Sequence, residues 1–401
     1  MANLLGIVLF ALGICLTVAL HEAGHMFTAR AFGMRVRRFF IGFGPTLWSV
    51  RKNKTEYGVA ALPLGGFCDI AGMSSQDEFI TEEERPYLMY KKPWWQRVIV
   101  LSGGVAVNLI LGFLILFVVA QTSGLANPNA DVRPVVDEVT CSADQLDNGE
   151  LAECSGTGPG GEAGIEPGDR ILNFNGEPVE TFQQLREEVL VRPGETVDIE
   201  VERGNSVLEF PVTLDTVERL VDGEMVEAGS IGLVQRPLDI IEKHSFVGAI
   251  PATWNYSMYM LNATVHGIAE FPSKIPGVVA SIFGAERDVE GPMSVVGASR
   301  VGGELVEANL WAAFFTMLAS LNYFLALFNL IPLPPFDGGH IAVVLYEKIR
   351  DFFRKIRGKS PAGPADYTKL MPITYVIAAA LMSVAAVIIV ADFVNPIKLL
   401  G

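Results

Sequence analysis

His21-Glu22-Ala23-Gly24-His25 closes an apolar stretch over residues 4–20 that contains no charged side chain. On a helix, residues i and i+4 share a face. His21 and His25 can therefore offer two imidazole nitrogens to one tetrahedral metal ion, with Glu22 beside them as a general base. The apolar setting sharpens this reading, because His, Glu and His beside lipid carry a heavy desolvation cost unless they turn inward and serve a function. The bland alternative is a chance five-residue match on a buried helix.

The rest of the chain places that helix in a membrane protein. Half of the 401 residues are hydrophobic. Residues 4–29, 98–120, 310–331 and 373–394 each approach the roughly 20 residues that a bilayer requires. Residues 1–3 contain no basic side chain and no small-residue cleavage site follows, so the first segment is expected to stay as a membrane helix.

Charge is distributed unevenly. The net charge is -15, yet residues 122–307 hold 11 Lys and Arg against 32 Asp and Glu, while the remainder holds 19 against 13. The basic excess falls in two loops, one with Arg35, Arg37, Arg38, Lys91 and Lys92, the other with Lys348, Arg350, Arg354, Lys355 and Lys359. Lys and Arg near span ends mark the cytoplasmic side. Four spans then put both termini and the acidic segment outside and the two basic loops inside. Nucleic-acid binding is not expected, since the basic residues flank lipid and the soluble part is acidic. His244 and His266 lack nearby ligand partners and read as surface histidines.

The four-span pattern predicts four regions. Residues 1–121 form a first membrane part with the zinc helix, a hairpin loop and the second span. Residues 122–236 form a soluble α+β domain with an acidic insert. Residues 237–307 form an outer interfacial segment, and 308–401 a second membrane part. Within the first region, residues 39–62 read as a β-hairpin of apolar strands at the membrane edge or, more plainly, as an ordinary cytoplasmic hairpin. Within the second, Gly164-Ile165-Glu166-Pro167-Gly168-Asp169-Arg170-Ile171-Leu172, a turn at Asn175-Gly176, a helix over 181–191 and strands over 197–203 and 207–214 resemble a bacterial PDZ domain. Such domains bind extended peptides by strand addition; a mere size filter is the alternative. Cys141 and Cys154, both assigned outside, are expected to form a disulfide.

A catalytic tetrahedral zinc takes three protein ligands and keeps one open position. Asn329-Leu330-Ile331-Pro332-Leu333-Pro334-Pro335-Phe336-Asp337-Gly338-Gly339-His340 offers the third. Its prolines stop the third span and its glycines permit a sharp turn, so Asp337 can project from a broken helix. His340 is the rival ligand. The first and third spans run in the same direction, which brings both motifs to one leaflet.

Taken together, these motifs resemble the bacterial site-2 proteases, zinc intramembrane metalloproteases with a PDZ-like domain. The resemblance implies one Zn2+ on His21, His25 and Asp337, Glu22 as catalytic base, and substrate handling by Asn329 and by Gly42-Phe43-Gly44 of the hairpin. It implies a plasma-membrane enzyme whose substrate is a single-pass membrane protein, such as an anti-sigma factor, already trimmed by a site-1-type protease. Two departures stand out: Phe336 where the family commonly has Leu, and Val105 for Pro in Gly104-Val105-Ala106-Val107-Asn108. A catalytically idle, peptide-binding scaffold would be expected to show a damaged zinc motif, and a metal transporter to show repeated intramembrane ligands. Neither sign is visible.

Overall fold

The structure is a computed structural model and describes residues 2–74, 76–77, 80–127, 130–146, 151–221, 224–238, 241–289 and 291–397. In chain order the elements are α1 (Ala2–Ala31), β1 (Val36–Lys52), β2 (Thr55–Ile70), α2 (Trp94–Leu101), α3 (Gly103–Thr122), β3 (Leu125–Ala126), β4 (Val136–Val139), α4 (Gly158–Glu162), β5 (Arg170–Phe174), β6 (Glu177–Pro178), α5 (Phe182–Leu190), β7 (Thr196–Arg203), β8 (Ser206–Thr213), β9 (Asp215–Val221), β10 (Glu224–Ser230), β11 (Leu233–Gln235), β12 (Ile241–Glu242), α6 (Ala249–Ile282), α7 (Val295–Glu307), α8 (Trp311–Asn329), α9 (Asp337–Ile356) and α10 (Met371–Val394). They form two compact units, Met1–Leu125 with Lys243–Gly401, and Ala126–Glu242.

In the first unit, four helical stretches among the described residues are long and apolar enough to cross a membrane: Ala2–Ala31, Gly103–Thr122, Trp311–Asn329 and Tyr367–Val394. The second is shorter at its start than the 98–120 expectation, because the chain breaks at Ser102 between α2 and α3. Small residues let these helices approach closely, as packing within lipid favours. A Cβ on Gly24 of α1 would lie 2.3 Å from the Gly103 carbonyl oxygen of α3, and one on Gly112 would lie 2.7 Å from the Tyr323 ring of α8. Tyr323 in turn donates a 2.7 Å hydrogen bond to Ser257 of α6. Helix α6 lies within the 237–307 segment read from sequence as interfacial, spanning 34 residues with Pro272 and Pro276 inside it.

Residues 36–70 fold into more than a hairpin. Phe39 pairs with both Tyr57 and Cys68, Phe40 with both Gly58 and Phe67, and Ile41 with both Val59 and Gly66. Trp48, Ser49 and Val50 pair on the other side with Val59, Gly58 and Tyr57. The two long strands thus double back into four antiparallel segments ordered 66–70, 36–41, 55–60 and 46–52. Gly42 (φ 90°) and Gly44 (φ 86°) supply the left-handed turn conformations that bend β1, and Gly65 (φ 149°) bends β2. A core of Met26, Ala29, Val36, Ile70, Val100 and Val344 ties this sheet to α1, α2 and α9.

The second unit has a four-stranded sheet ordered β6-β5-β7-β8, with paired β4 and β11 and a β9–β10 hairpin beside it. Helix α5 starts at a capping box in which Thr181 and Gln184 satisfy each other's backbone N–H groups, the N-terminal device expected of Thr followed three residues later by Gln. Ile171, Phe174, Leu185, Val197, Ile199 and Val201 form the core. The alternation of buried and exposed residues along β7, with Val197, Ile199 and Val201 inside, is the period-2 pattern visible in the sequence. Cys141 and Cys154 are joined in a disulfide with their Cα atoms 5.9 Å apart.

Candidate metal centre

Helix α1 places His21 and His25 one turn apart on its buried face. Asp337 arrives as the first residue of α9, after the proline-rich break that ends α8. The three side chains converge. His21 Nε2 lies 3.2 Å from His25 Nε2 and 3.2 Å from Asp337 Oδ2, and His25 Nε2 lies 3.3 Å from the same carboxylate oxygen. Metal–ligand bonds of about 2.0–2.1 Å at tetrahedral angles separate neighbouring ligand atoms by roughly 3.3 Å, so the three atoms fit three corners of a zinc tetrahedron.

The far nitrogens of the rings explain this orientation. His25 Nδ1 donates to the Val100 carbonyl oxygen on α2 at 2.8 Å. With its proton on Nδ1, the ring presents an unprotonated Nε2 to the cluster. His21 Nδ1 faces the carboxamide of Asn108 on α3 at 3.2 Å. Asn108 is fully buried and its Oδ1 has no hydrogen-bond partner among the described residues. As placed, the amide nitrogen Nδ2 is the atom toward Nδ1; with the amide turned by half a rotation, Oδ1 would accept the Nδ1 proton of His21 and leave a second Nε2 lone pair directed inward. Lone pairs crowded at this distance repel one another unless a cation sits among them, and outer partners of this kind commonly orient zinc-binding imidazoles.

The backbone leaves room for the rings. A Cβ on Gly104 would lie 2.5 Å from Nε2 of both histidines, so only glycine allows α3 to pass this close to the cluster. Glu22 is covered on another side by β2: a Cβ on Gly66 would lie 3.2 Å from Glu22 Cγ. The carboxylate therefore lies between the histidine cluster and a sheet edge.

Comparison with known proteins agrees with this geometry. The family model for peptidase family M50 matches residues 9–363. The chain belongs to peptidase family M50, the site-2 proteases. It is 45% identical over 402 residues to the zinc metalloprotease Rip1 of Mycolicibacterium smegmatis, with 98% of each chain covered. It is 42% identical over 400 residues to zinc metalloprotease Rip1 of Mycobacterium tuberculosis, again with 98% of each covered. The metalloprotease MmpA of Caulobacter vibrioides is 29% identical over 362 residues, 85% of each chain. This M50 protease is accordingly a zinc metalloprotease with Zn2+ as cofactor, and the two imidazoles and one carboxylate suit that ion.

Other residues singled out in the sequence fall elsewhere. Rival ligand His340 is outside the cluster formed by His21, His25 and Asp337. Its ring stacks on Tyr367 at 5.6 Å, and burial pushes its pKa down, favouring the neutral ring. Asn329, the last residue of α8, donates to the Leu325 carbonyl at 3.0 Å. Phe43 stacks on Phe67 at 6.1 Å and is otherwise largely exposed between Gly42 and Gly44. His266 is exposed and donates to the Asn262 carbonyl of its own helix. Sequence reasoning did not assign the Val100 carbonyl, Gly104 or the Gly66–Cys68 edge. A Gly-Gly pair opening a span was the one available signal, and it points to close helix approach without saying to what.

Proposed function

We propose that this M50 protease hydrolyses a peptide bond within the transmembrane segment of a single-pass membrane protein, such as an anti-sigma factor, after a site-1-type protease has trimmed it. The observation that carries this reading is the convergence of His21, His25 and Asp337 on one point beside Glu22, on a helix with the length and composition of a membrane span. His21, His25 and Asp337 hold the metal. When bound, zinc polarises the scissile carbonyl and lowers the pKa of water toward ~7. Glu22 takes the proton from the attacking water and returns it to the leaving amine. Val100 and Asn108 keep both imidazoles in the ligating tautomer throughout.

A helical substrate hides its carbonyls in its own hydrogen bonds, so it must unwind before Glu22 can serve it. The outer edge of residues 66–70 pairs with no other strand among the described residues, and it lies against Glu22. An extended substrate adding there replaces part of its lost backbone bonding, each bond worth about 1 kcal/mol net in water. Gly42, Phe43 and Gly44 shape the sheet behind that edge, and Asn329 closes the third span near the Asp337 break.

The basic loops assign the metal centre to the cytoplasmic leaflet of the plasma membrane, with the termini and the acidic unit outside. In that unit we read a PDZ-like domain that sorts substrates. A groove of about 640 Å³ runs between α5 and β11, lined by Phe182, Arg186, Leu190, Leu233 and Gln235. Among the described residues strand β11 pairs with β4 alone, and an open strand edge beside a helix suits an extended peptide.

Glu22→Gln tests the central step. The variant is expected to retain wild-type zinc by elemental analysis and to lose cleavage of a reconstituted single-pass substrate. Sustained cleavage with metal bound would overturn the assignment. If the activity survives in neither protein while peptides still bind the acidic unit, the chain is a scaffold.

A further inference from the structure

A groove of about 650 Å³ lies between α2 and α9. Three lysines line it, Lys348, Lys355 and Lys359, together with Arg97, Trp94 and Phe352. The two acids that also line it are already engaged. Glu347 accepts from Arg97 at 2.5 Å and from the Ala365 N–H at 2.6 Å, while Asp351 accepts from Arg350 and from the Ala362 N–H. None of the three lysines makes an ion pair among the described residues; Lys348 instead sits 5.9 Å from the centre of the Trp94 ring. Arg97 is 95% buried, and its Nε has no hydrogen-bond partner among the described residues.

Both walls join membrane spans. Helix α2 runs into α3 after Ser102, and α9 follows the break at the end of α8. Along α9 the apolar residues Tyr346, Ile349, Phe353 and Ile356 are exposed. An amphipathic helix of this kind, with Lys and Arg flanking apolar side chains and a tryptophan beside it, lies at the boundary between headgroups and acyl chains. A soluble anion would satisfy the lysines but leave Trp94, Phe352 and the apolar face of α9 in water.

We infer that the groove between α2 and α9 binds one anionic phospholipid, its phosphate among Lys348, Lys355 and Lys359 and its acyl chains along Trp94 and Phe352. The lipid bridges two helices that also build the metal centre: α2 carries the Val100 carbonyl that orients His25, and α9 begins with Asp337. The Arg97–Glu347 pair joins the same two helices at the floor of the groove. Lipid occupancy therefore steadies the supports of the metal centre without touching it.

The test uses full-length protein, delipidated and titrated with phosphatidylglycerol or phosphatidylcholine in detergent, with bound lipid counted by native mass spectrometry. Phosphatidylglycerol is expected to be retained at one per chain and phosphatidylcholine to be lost. Replacing Lys348, Lys355 and Lys359 together with Gln should weaken retention by at least roughly 10-fold, as removal of interfacial charges does, whereas replacing all three with Arg should preserve it. Amide exchange along α9 should slow when phosphatidylglycerol is added to the wild type. Equal retention of both lipids, unchanged retention in the Gln variant, loss in the Arg variant, or displacement of the lipid by inorganic phosphate at equal concentration would each overturn the inference.

Discussion

The Val100 carbonyl accepts a 2.8 Å hydrogen bond from Nδ1 of His25. A carbonyl can only accept, so this one contact decides which ring nitrogen is protonated and hence which can bind metal. It also places the last turn of the short helix α2 against His25, a proposed ligand on α1. The Asn108 carboxamide faces Nδ1 of His21 from α3, so the two rings are contacted from two different helices.

Gly104→Ala is expected to abolish metal binding. The added methyl would come within 2.5 Å of both ligating nitrogens, and neither ring can retreat while Val100 and Asn108 hold it. Gly267→Ala provides the control: it lies inside α6 with nothing within 4 Å of an added Cβ. Zinc analysis of the two purified variants should read near zero for the first and wild-type for the second.

Asn108→Ala removes the acceptor for His21 and is expected to lower zinc affinity by roughly 10- to 100-fold, the usual effect of losing an outer-shell partner. Asn108→Asp keeps an acceptor oxygen and should recover most of that loss. Competition with a chelator of known affinity measures both. An Ala variant that binds zinc like wild type would show that Asn108 does not orient the ring.

Replacing Cys141 and Cys154 with Ser is expected to destabilise the surrounding part of the second unit by about 3 kcal/mol in the chain-entropy model. The loop they close is tied to β9, where Asp144 accepts from the Glu218 N–H at 2.9 Å and Ala143 accepts from Arg219. Faster amide exchange in β9 of the full-length variant, matched by the wild type after reduction, is the expected result. Peptide mapping without reductant should recover the linked pair from native membranes.

Acid should loosen the segment that follows the sheet. The Arg37 guanidinium, at 2.9 Å, holds the Glu84 carboxyl below its ordinary range, and Glu84 also accepts from the Thr81 N–H. A depressed carboxylate pKa contributes stability that is complete above the unfolded value, near ~4.3, and disappears as pH falls through the lower folded value. Proteolysis within residues 80–92 is therefore expected to accelerate below about pH 4. Glu84→Gln should cleave at the acid rate already at neutral pH.

The ligand set illustrates how far linear sequence reaches. Two histidines four apart on an apolar helix must share a face, because helical periodicity is local; Asp337 could be nominated because three prolines and two glycines necessarily interrupt the span. The same local logic located the capped helix α5 and the alternating strand β7. The disulfide partners were legible because only two cysteines lie in the segment read as external.

Contacts between distant segments were not legible in this way. The hairpin read over residues 39–62 is part of a doubled-back sheet in which Val59 pairs on both sides, with Ile41 and Trp48. Proline at Val59 would consequently break the middle of the sheet rather than merely block an edge. Local alternation identifies a strand, but its partners depend on where glycines let the chain turn and on what packs behind it. Likewise, the departure from the family pattern at Val105 left the role of Asn108 open until folding placed its amide against His21. The sequence by itself nominated the chemistry: a histidine pair proposed to hold zinc, a glutamate proposed as base, an aspartate proposed as third ligand, and the apolar spans that carry them. Only the tertiary structure decided the Val100 contact to His25, the glycine-sized gap at Gly104 and the sheet edge over Glu22, because each depends on the separation of backbones far apart in sequence.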